Sequence, residues 1–345
     1  MHRNQYSTDA ISAIDAKFEA QKIAFSPLTF QAARSLRDFG ILRSVSDSGD
    51  NGLSRKEIAR SAGISEYGAA VLAEIGLGMG ALRLRPPAEM SGAGNSAAEE
   101  EERYVLGKIG WFLLEDAMTG VNFNFVNDVC YKGAFNLPES IRGGKPCGLS
   151  VFGDQWHTIY EALSSLPENV KKSWFDFDHF YSDIAFPEAL PLVFAKPPRR
   201  LFDIGGNTAK WALACCKYNA DVRVTIIDLP GQTAVAQENV SAAGLEGRIN
   251  AQSCDVLDSQ TEFPAGADTD VWVLEPLWDM QRFPASAFSL QATSLYFTCM
   301  ANGSSKMYRF GELCAAVEGG GFELKAAHHN LGTNSYSLLR FRKKS

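Results

Sequence analysis

Apolar residues recur near the helical period from Asp9 to about Val45, as Ile11, Ile14, Phe18 and Ile23 and then as Phe30, Ala33 and Leu36. Such spacing predicts amphipathic helices, and Pro27 divides the stretch into two. The next segment, LSRKEIARSAGISEYGAAVLAEIGLGMGALRL (residues 53–84), reads as a helix-turn-helix. Ser54 stands ahead of a short helix, Gly63 marks the turn, and Ser65 is placed to cap a second helix. The strand-like ALRL at 81–84 and RYVL at 103–106 would form the two strands of a wing. Between them PPAEMSGAGNSAAEEEE offers almost no apolar bulk, so residues 86–102 are expected to form a mobile loop.

From Trp111 to Pro198 the pattern is helical, loop-rich and aromatic. The period then changes. FDIGG (202–206), VTIID (224–228), INAQSCD (249–255) and DVWVLEP (270–276) read as strands ending at polar or glycine positions, with helical stretches between the first three. This alternation predicts an α/β fold with a parallel, doubly wound, Rossmann-like sheet, whose ligands sit beyond the carboxyl ends of the strands. Three parts are expected: a winged-helix domain over 1–110, a helical linker and lining region over 111–198, and the Rossmann-like domain over 199–345.

Composition narrows the function classes. The 345-residue chain carries a net charge of −7, which gives little electrostatic reason to approach nucleic acid or an anionic membrane. No apolar run reaches the length of about eighteen residues that spans a bilayer, and the start lacks the apolar block of a secretory signal. The seven cysteines are scattered and never spaced C-x-x-C, which argues against a disulfide framework and a zinc site. A cytoplasmic protein without a metal is expected. A winged helix also invites a DNA-binding reading, but the helix from Ser65 to Leu82 has no Lys or Arg and carries Glu66 and Glu74. The competing reading is a homodimer formed through the apolar faces of 9–45 and 65–82.

The candidate chemistry lies at the strand ends. Gly205 and Gly206 follow a strand and open a helix, so they can bring bare backbone against a ligand. Asp228 ends the second strand, where a carboxylate can accept both hydroxyls of a ribose. Asp255 ends the third and could accept from an adenine amino group, with Val256 covering the ring. A dinucleotide site wants G-x-G-x-x-G, whereas the run here is G-G-N-T-A-K, out of register with that spacing.

FDIGGNTAKWA, TIIDLPG, CDVLD, EPLWDMQRF and SLYFTCMANGSSKMY resemble the class I S-adenosylmethionine-dependent O-methyltransferases of plant hydroxyindole and caffeate type and their bacterial relatives. The resemblance runs over nearly the whole chain, because that family also places a winged-helix dimerisation domain before the catalytic one. It implies S-adenosyl-L-methionine as cofactor and methyl transfer to an oxygen of a small aromatic or apolar acceptor. Asp203, Gly205 and Gly206 match the cofactor loop, Asp228 and Leu229 the ribose-binding pair, and Asp255 with Val256 the adenine edge. Ala209 stands where many relatives have glycine, a change expected to be mild. FDFDHFYSD resembles the helix lining both cofactor and acceptor, which makes His179, Phe180 and Tyr181 contact candidates. Aromatic faces can stabilise a sulfonium, and in-line attack needs water excluded. Trp156, Phe180, Trp278, Phe297, Met300 and Met307 are the expected acceptor walls.

The chain departs from the family after Asp270. DVWV runs straight into LEP, so one strand appears where two are expected, and roughly 30 residues, one strand-helix unit, are missing near residue 273. The plant enzymes carry their general-base histidine in that unit. Among the five histidines here, His179 is the candidate base. A catalytically degenerate dimer that binds cofactor without turnover is the alternative; a ligand-sensing transcription factor and a nicotinamide dehydrogenase rank below it.

Overall fold

The computed structural model describes residues 6–86, 101–256 and 270–344. They form two compact units: Thr8–Phe123, and the chain from Asn124 onward together with Tyr6 and Ser7. Most of the acidic segment expected as a mobile loop, residues 87–100, lies outside the described residues.

The first unit contains α1 (Ala13–Ala24), α2 (Ser26–Asp38), α3 (Ile41–Asp47), α4 (Arg55–Ala62), α5 (Glu66–Gly78), β1 (Leu82–Leu84), β2 (Tyr104–Leu106) and α6 (Lys108–Glu115). Where two helices are expected before residue 45 there are three, because Gly40 adopts a left-handed φ of 72° and breaks the run between α2 and α3. Ser54 and Glu57 form a reciprocal cap on α4, and the Ser65 hydroxyl accepts from the Gly68 amide at 3.0 Å to start α5. Strands β1 and β2 pair antiparallel from Leu82↔Leu106 to Leu84↔Tyr104, which gives the expected wing. Leu36, Ile41, Leu42, Val45, Ile58 and Tyr104 are fully buried in the core of this unit. Helix α1 buries no residue, and it leaves Ile14 82% and Ile23 74% exposed.

Helix α7 (Ala117–Phe125) leads into the second unit, followed by α8 (Leu137–Gly143), α9 (Ile159–Ala162), α10 (Glu168–Ser182) and α11 (Phe186–Val193). The strands and their helices come next: β3 (Arg200–Ile204), α12 (Lys210–Tyr218), β4 (Arg223–Asp228), α13 (Pro230–Ala242), β5 (Ile249–Ser253), β6 (Asp270–Glu275), α14 (Pro284–Tyr296), α15 (Phe310–Gly319), β7 (Phe322–Leu331) and β8 (Tyr336–Lys343). The helices after residue 124 belong to the same compact unit as the strands and share a core with the end of α14, where Trp174 Nε1 donates to the Tyr296 hydroxyl at 2.7 Å.

The described strands of this unit form two three-stranded sheets. One is parallel with order β3-β4-β5, and the other is antiparallel with order β6-β8-β7. The sequence places Asp270–Pro276 in the parallel ladder after the third strand, but β6 pairs only with β8, in register from Asp270↔Arg342 to Glu275↔Ser337. Among the described residues no strand joins β3 to β6, so both are edge strands. Both sheets nevertheless contribute to one core, with Ile226 and Val224 from the first and Leu338 and Tyr336 from the second. The consequence of the short connection is visible on β3, where Phe202 is 40% and Ile204 58% exposed. Large apolar side chains on an edge strand of a doubly wound sheet are normally covered by the next strand-helix unit.

Candidate active site

The turn after β3 is held in an unusual backbone conformation. Gly205, Asn207 and Ala209 have φ of 73°, 45° and 68°, all in the left-handed region. Glycine takes this conformation without cost and asparagine tolerates it, whereas for alanine it costs about 1–2 kcal/mol. The expectation that Ala209 is a mild replacement is thereby corrected, because the strain comes from the backbone and not from side-chain size. Gly206 is required for space: a Cβ there would lie 2.7 Å from Asp203 Oδ2 and 2.8 Å from Ile226 Cγ2.

Hydrogen bonds tie this turn to three neighbouring elements. The Asn207 amide donates to Asp228 Oδ2 at 2.8 Å, and the Asn207 side-chain amide donates to Asp178 Oδ2 on α10 at 2.8 Å. Asn239 of α13 donates to the Thr208 carbonyl at 3.0 Å. The Leu229 amide donates to Asp228 Oδ1 at 2.7 Å, so each Asp228 oxygen has one backbone partner and retains lone-pair capacity for a ligand. The third strand stops at Ser253, two residues earlier than expected, where the Cys254 amide donates to the Asp228 carbonyl at 2.8 Å. Asp255 and Val256 then follow as exposed residues beside the end of β4.

The electrostatics are one-sided. Burial, reinforced by the Asp228 charge, pushes the Asp203 carboxyl up to about 7, and its Oδ2 is buried without a hydrogen-bond partner. Burial also raises Asp178. Glu275 ends β6 as an exposed residue, and the protein atoms around its carboxyl raise it above the usual carboxylate range. The Tyr160 phenol is raised to about 12 by burial and, to a lesser degree, by the charges of Asp178, Glu275 and Asp228.

His179 lies on α10 between two partners. Its Nε2 is 3.3 Å from the Thr208 hydroxyl and its Nδ1 is 3.6 Å from Asp183 Oδ1. Asp183 is held below the usual carboxylate range: burial pulls it upward, but its His179 and Lys210 partners outweigh that. Tyr181 is half-buried, with its ring 4.9 Å from Phe177 and 5.5 Å from Phe180.

The expected acceptor walls do not all come together. Trp156 and Phe297 are half-buried against the helical core, and Met307 is half-buried with its amide donating to Ser294 Oγ at 3.1 Å. Trp278 is engaged by the chain itself, with Tyr6 edge-on at 5.8 Å and the Arg309 guanidinium at 4.6 Å. Met300 is corrected from wall to core: it is fully buried, and its sulfur fills the space that side chains at Gly133 and Gly148 would need. Asp178 and Asn207 belong to the cluster around the turn and are absent from the sequence-based site, although Asn207 lies inside the glycine turn and Asp178 stands beside His179.

Comparison with known proteins bears on the fold. Residues 17–86 match the Dimerisation2-like domain family. L-tyrosine C(3)-methyltransferase of Streptomyces lavendulae is 25% identical over 185 residues, which cover 52% of this chain and 50% of that protein. A 3-hydroxy-5-methyl-1-naphthoate 3-O-methyltransferase of Streptomyces sahachiroi is 33% identical over 70 residues, 20% of each chain. The matches therefore span about half the length, or less, of these curated relatives. Among solved structures, the mitomycin 7-O-methyltransferase MmcR superposes with a TM-score of 0.65 at 14% identity, covering 96% of this chain and 98% of that one. The S-adenosylmethionine-dependent methyltransferase SibL gives 0.64 at 19% identity, covering 94% and 98%. These likenesses show the fold, an N-terminal dimerisation-type domain followed by a methyltransferase-type α/β domain.

Proposed function

We propose that this protein is an S-adenosylmethionine-dependent methyltransferase that acts on an oxygen of a small aromatic acceptor and works as a cytoplasmic homodimer. The observation that carries the reading is the convergence of Asp178, Asp203 and Asp228 on the Gly205–Asn207 turn. A pyrophosphate would be repelled by these carboxylates, whereas a ligand bearing an ammonium or sulfonium would relieve their mutual repulsion. The buried, unpartnered Asp203 Oδ2 and the side-chain-free cradle at Gly206 fit such a cofactor.

S-adenosylmethionine supplies an electrophilic methyl group when bound. The free lone pairs of Asp228 suit ribose hydroxyls, Leu229 completes that edge, and Asp255 with Val256 sits where an adenine would lie. Gly205 and Gly206 allow close backbone approach. His179 is the proposed base: Asp183 orients the ring through Nδ1, which leaves Nε2 to take the acceptor proton once it parts from Thr208. Phe180 and Tyr181 on the same helix would help exclude water. The names of the two curated relatives supply the acceptor class, since tyrosine and a hydroxynaphthoate are both phenols. Dimerisation is assigned to the first unit, where Ile14, Phe18, Ile23 and Leu28 are exposed over the α1–α2 stretch. The free cysteines support a reducing setting, and no described helix is long and apolar enough to cross a membrane.

Calorimetric titration with S-adenosylhomocysteine tests the cofactor half, and absence of binding to the folded protein overturns it. A second reading, cofactor binding without turnover, is favoured by the exposed Phe202 and Ile204 on β3, where a stretch of the catalytic wall would stand. Transfer of labelled methyl to any phenol in a panel removes that second reading.

A further inference from the structure

The cluster around the glycine turn contains more acid than a cofactor site needs for hydrogen bonding, and Asp203 is its least compensated member. Its side chain leans against the turn, with Oδ2 2.7 Å from the position a Cβ on Gly206 would occupy. That oxygen is buried and has no hydrogen-bond partner.

The charged and titratable groups facing it offer no cation. From β4 comes Asp228, a like charge. From α12 come Cys215, a buried thiol whose ionisation is suppressed by burial and by Asp203 itself, and the Ala212 backbone, the one group that favours the carboxylate. Asp178 from α10 is joined to the same turn through Asn207. Lys210, at the start of α12, is committed to Asp183 at 3.2 Å. A buried carboxyl with a like charge beside it and no cation keeps its proton to higher pH than an ordinary aspartate.

We infer that Asp203 makes capture of a cationic cofactor proton-coupled: it holds a proton in the ligand-free protein and releases it to solvent as the ligand's positive group arrives. The step is a simple exchange, in which the O–H bond of the Asp203 carboxyl breaks, the proton leaves with a water molecule, and the resulting carboxylate is neutralised by the ammonium or sulfonium. It rests on the cofactor reading above and adds to it a linkage between pH and affinity. Burial and Asp228 hold the carboxyl near 7, so the linkage operates around neutrality. Below that pH the affinity weakens by up to about tenfold per pH unit, and above it the affinity levels off.

The test is isothermal titration calorimetry of the full chain with S-adenosylhomocysteine and with S-adenosylmethionine at pH 6.5, in two buffers of different ionisation enthalpy. Roughly three quarters of a proton released per ligand is expected there, falling to about a tenth at pH 8. In Asp203→Asn most of that release disappears and the affinity loses its pH dependence. Release with both ligands identifies the ammonium as the group that meets Asp203, and release with S-adenosylmethionine alone identifies the sulfonium. Tight binding without release by either ligand overturns the inference and leaves the cofactor reading standing. If neither ligand binds, the cofactor reading falls and this inference falls with it. Should Asp203→Asn fail to fold, the wild-type proton count decides the matter alone.

Discussion

The Asn207 backbone amide donates to Asp228 Oδ2 at 2.8 Å, and this one bond joins the turn after β3 to the end of β4. It turns two motifs 21 positions apart in sequence into a single ligand cradle. Replacing Asp228 with Ala removes that acceptor, the Leu229 amide's partner and the ribose-binding oxygens together. Charge-assisted hydrogen bonds contribute roughly 1.5–3 kcal/mol each, so S-adenosylhomocysteine affinity is expected to fall at least tenfold. Calorimetry at pH 8 measures it, and unchanged affinity would remove Asp228 from the site.

Asn207 tests the backbone of the turn. Its φ of 45° suits glycine and asparagine and penalises alanine, so Asn207→Gly should be milder than Asn207→Ala by about 1 kcal/mol. Both variants lose the bond to Asp178, so their difference isolates the conformation. Urea unfolding of the two proteins reads it directly, and equal midpoints would argue for an ordinary turn.

The buried carboxyls set the direction of the pH dependence of stability. Unfolded, Asp203 loses its proton near 3.8; folded, it keeps it to about 7. Between these values the native state binds more protons than the unfolded state, so stability falls as pH rises through this window and is flat above it. Asp178, also raised by burial, contributes with the same sign. Asp203 gives a slope of at most about 1.4 kcal/mol per pH unit. Asp203→Asn should therefore show a shallower slope between pH 5 and 7 in denaturant unfolding, and a full wild-type slope in the variant would count against its buried proton.

Two charges on the first unit should separate the dimer. Ile14→Asp combined with Ile23→Asp places carboxylates on a helix that buries none of its own residues. Light scattering after size exclusion should show the mass halved at micromolar concentration, with circular dichroism unchanged. A wild-type monomer would refute the assignment at once.

Asp270 gives the second sheet an acid sensitivity that can be tested separately. Asp270 sits between Arg340, at 2.9 Å from its Nε, and Arg342, also at 2.9 Å, and so ties β6 to β8. Although burial pulls its carboxyl upward, the hydrogen bonds and charges of Arg342 and Arg340 outweigh that and hold it below the usual range. A depressed native pKa contributes stability above the unfolded value near 3.8, and that contribution is lost as pH falls through the native one. Asp270→Asn should be less stable at pH 7 by about 1–3 kcal/mol and show a shallower loss in acid. Equal acid sensitivity in the two proteins would place the responsible group elsewhere.

Local signals were enough for much of the molecule. Ser54 and Ser65 cap their helices because a hydroxyl at that position reaches the next free amide, and the two wing strands follow from their apolar alternation. Gly205, Gly206 and Asp228 could be placed beside one another from sequence because neighbouring strands of a parallel sheet end on the same side, whereas Asp255 lies two residues beyond the end of β5. The strain at Ala209 was not, since side-chain type reports size and polarity while φ is imposed by the turn it must complete.

What the amino-acid sequence determined by itself was the order of most elements and the glycine turn with the acid that ends β4, which arise from interactions over a few residues or from a repeating period; that the helices after residue 124 join the strands in one compact unit came from the fold. Tertiary structure alone decided that β6 pairs antiparallel with β8 and leaves β3 as an open edge, that Met300 belongs to the core, and that Asp178 and Asp203 crowd the same turn as Asp228. Strand partnership and the proton affinity of a buried acid depend on groups brought close only when the chain closes on itself, and no local pattern encodes them.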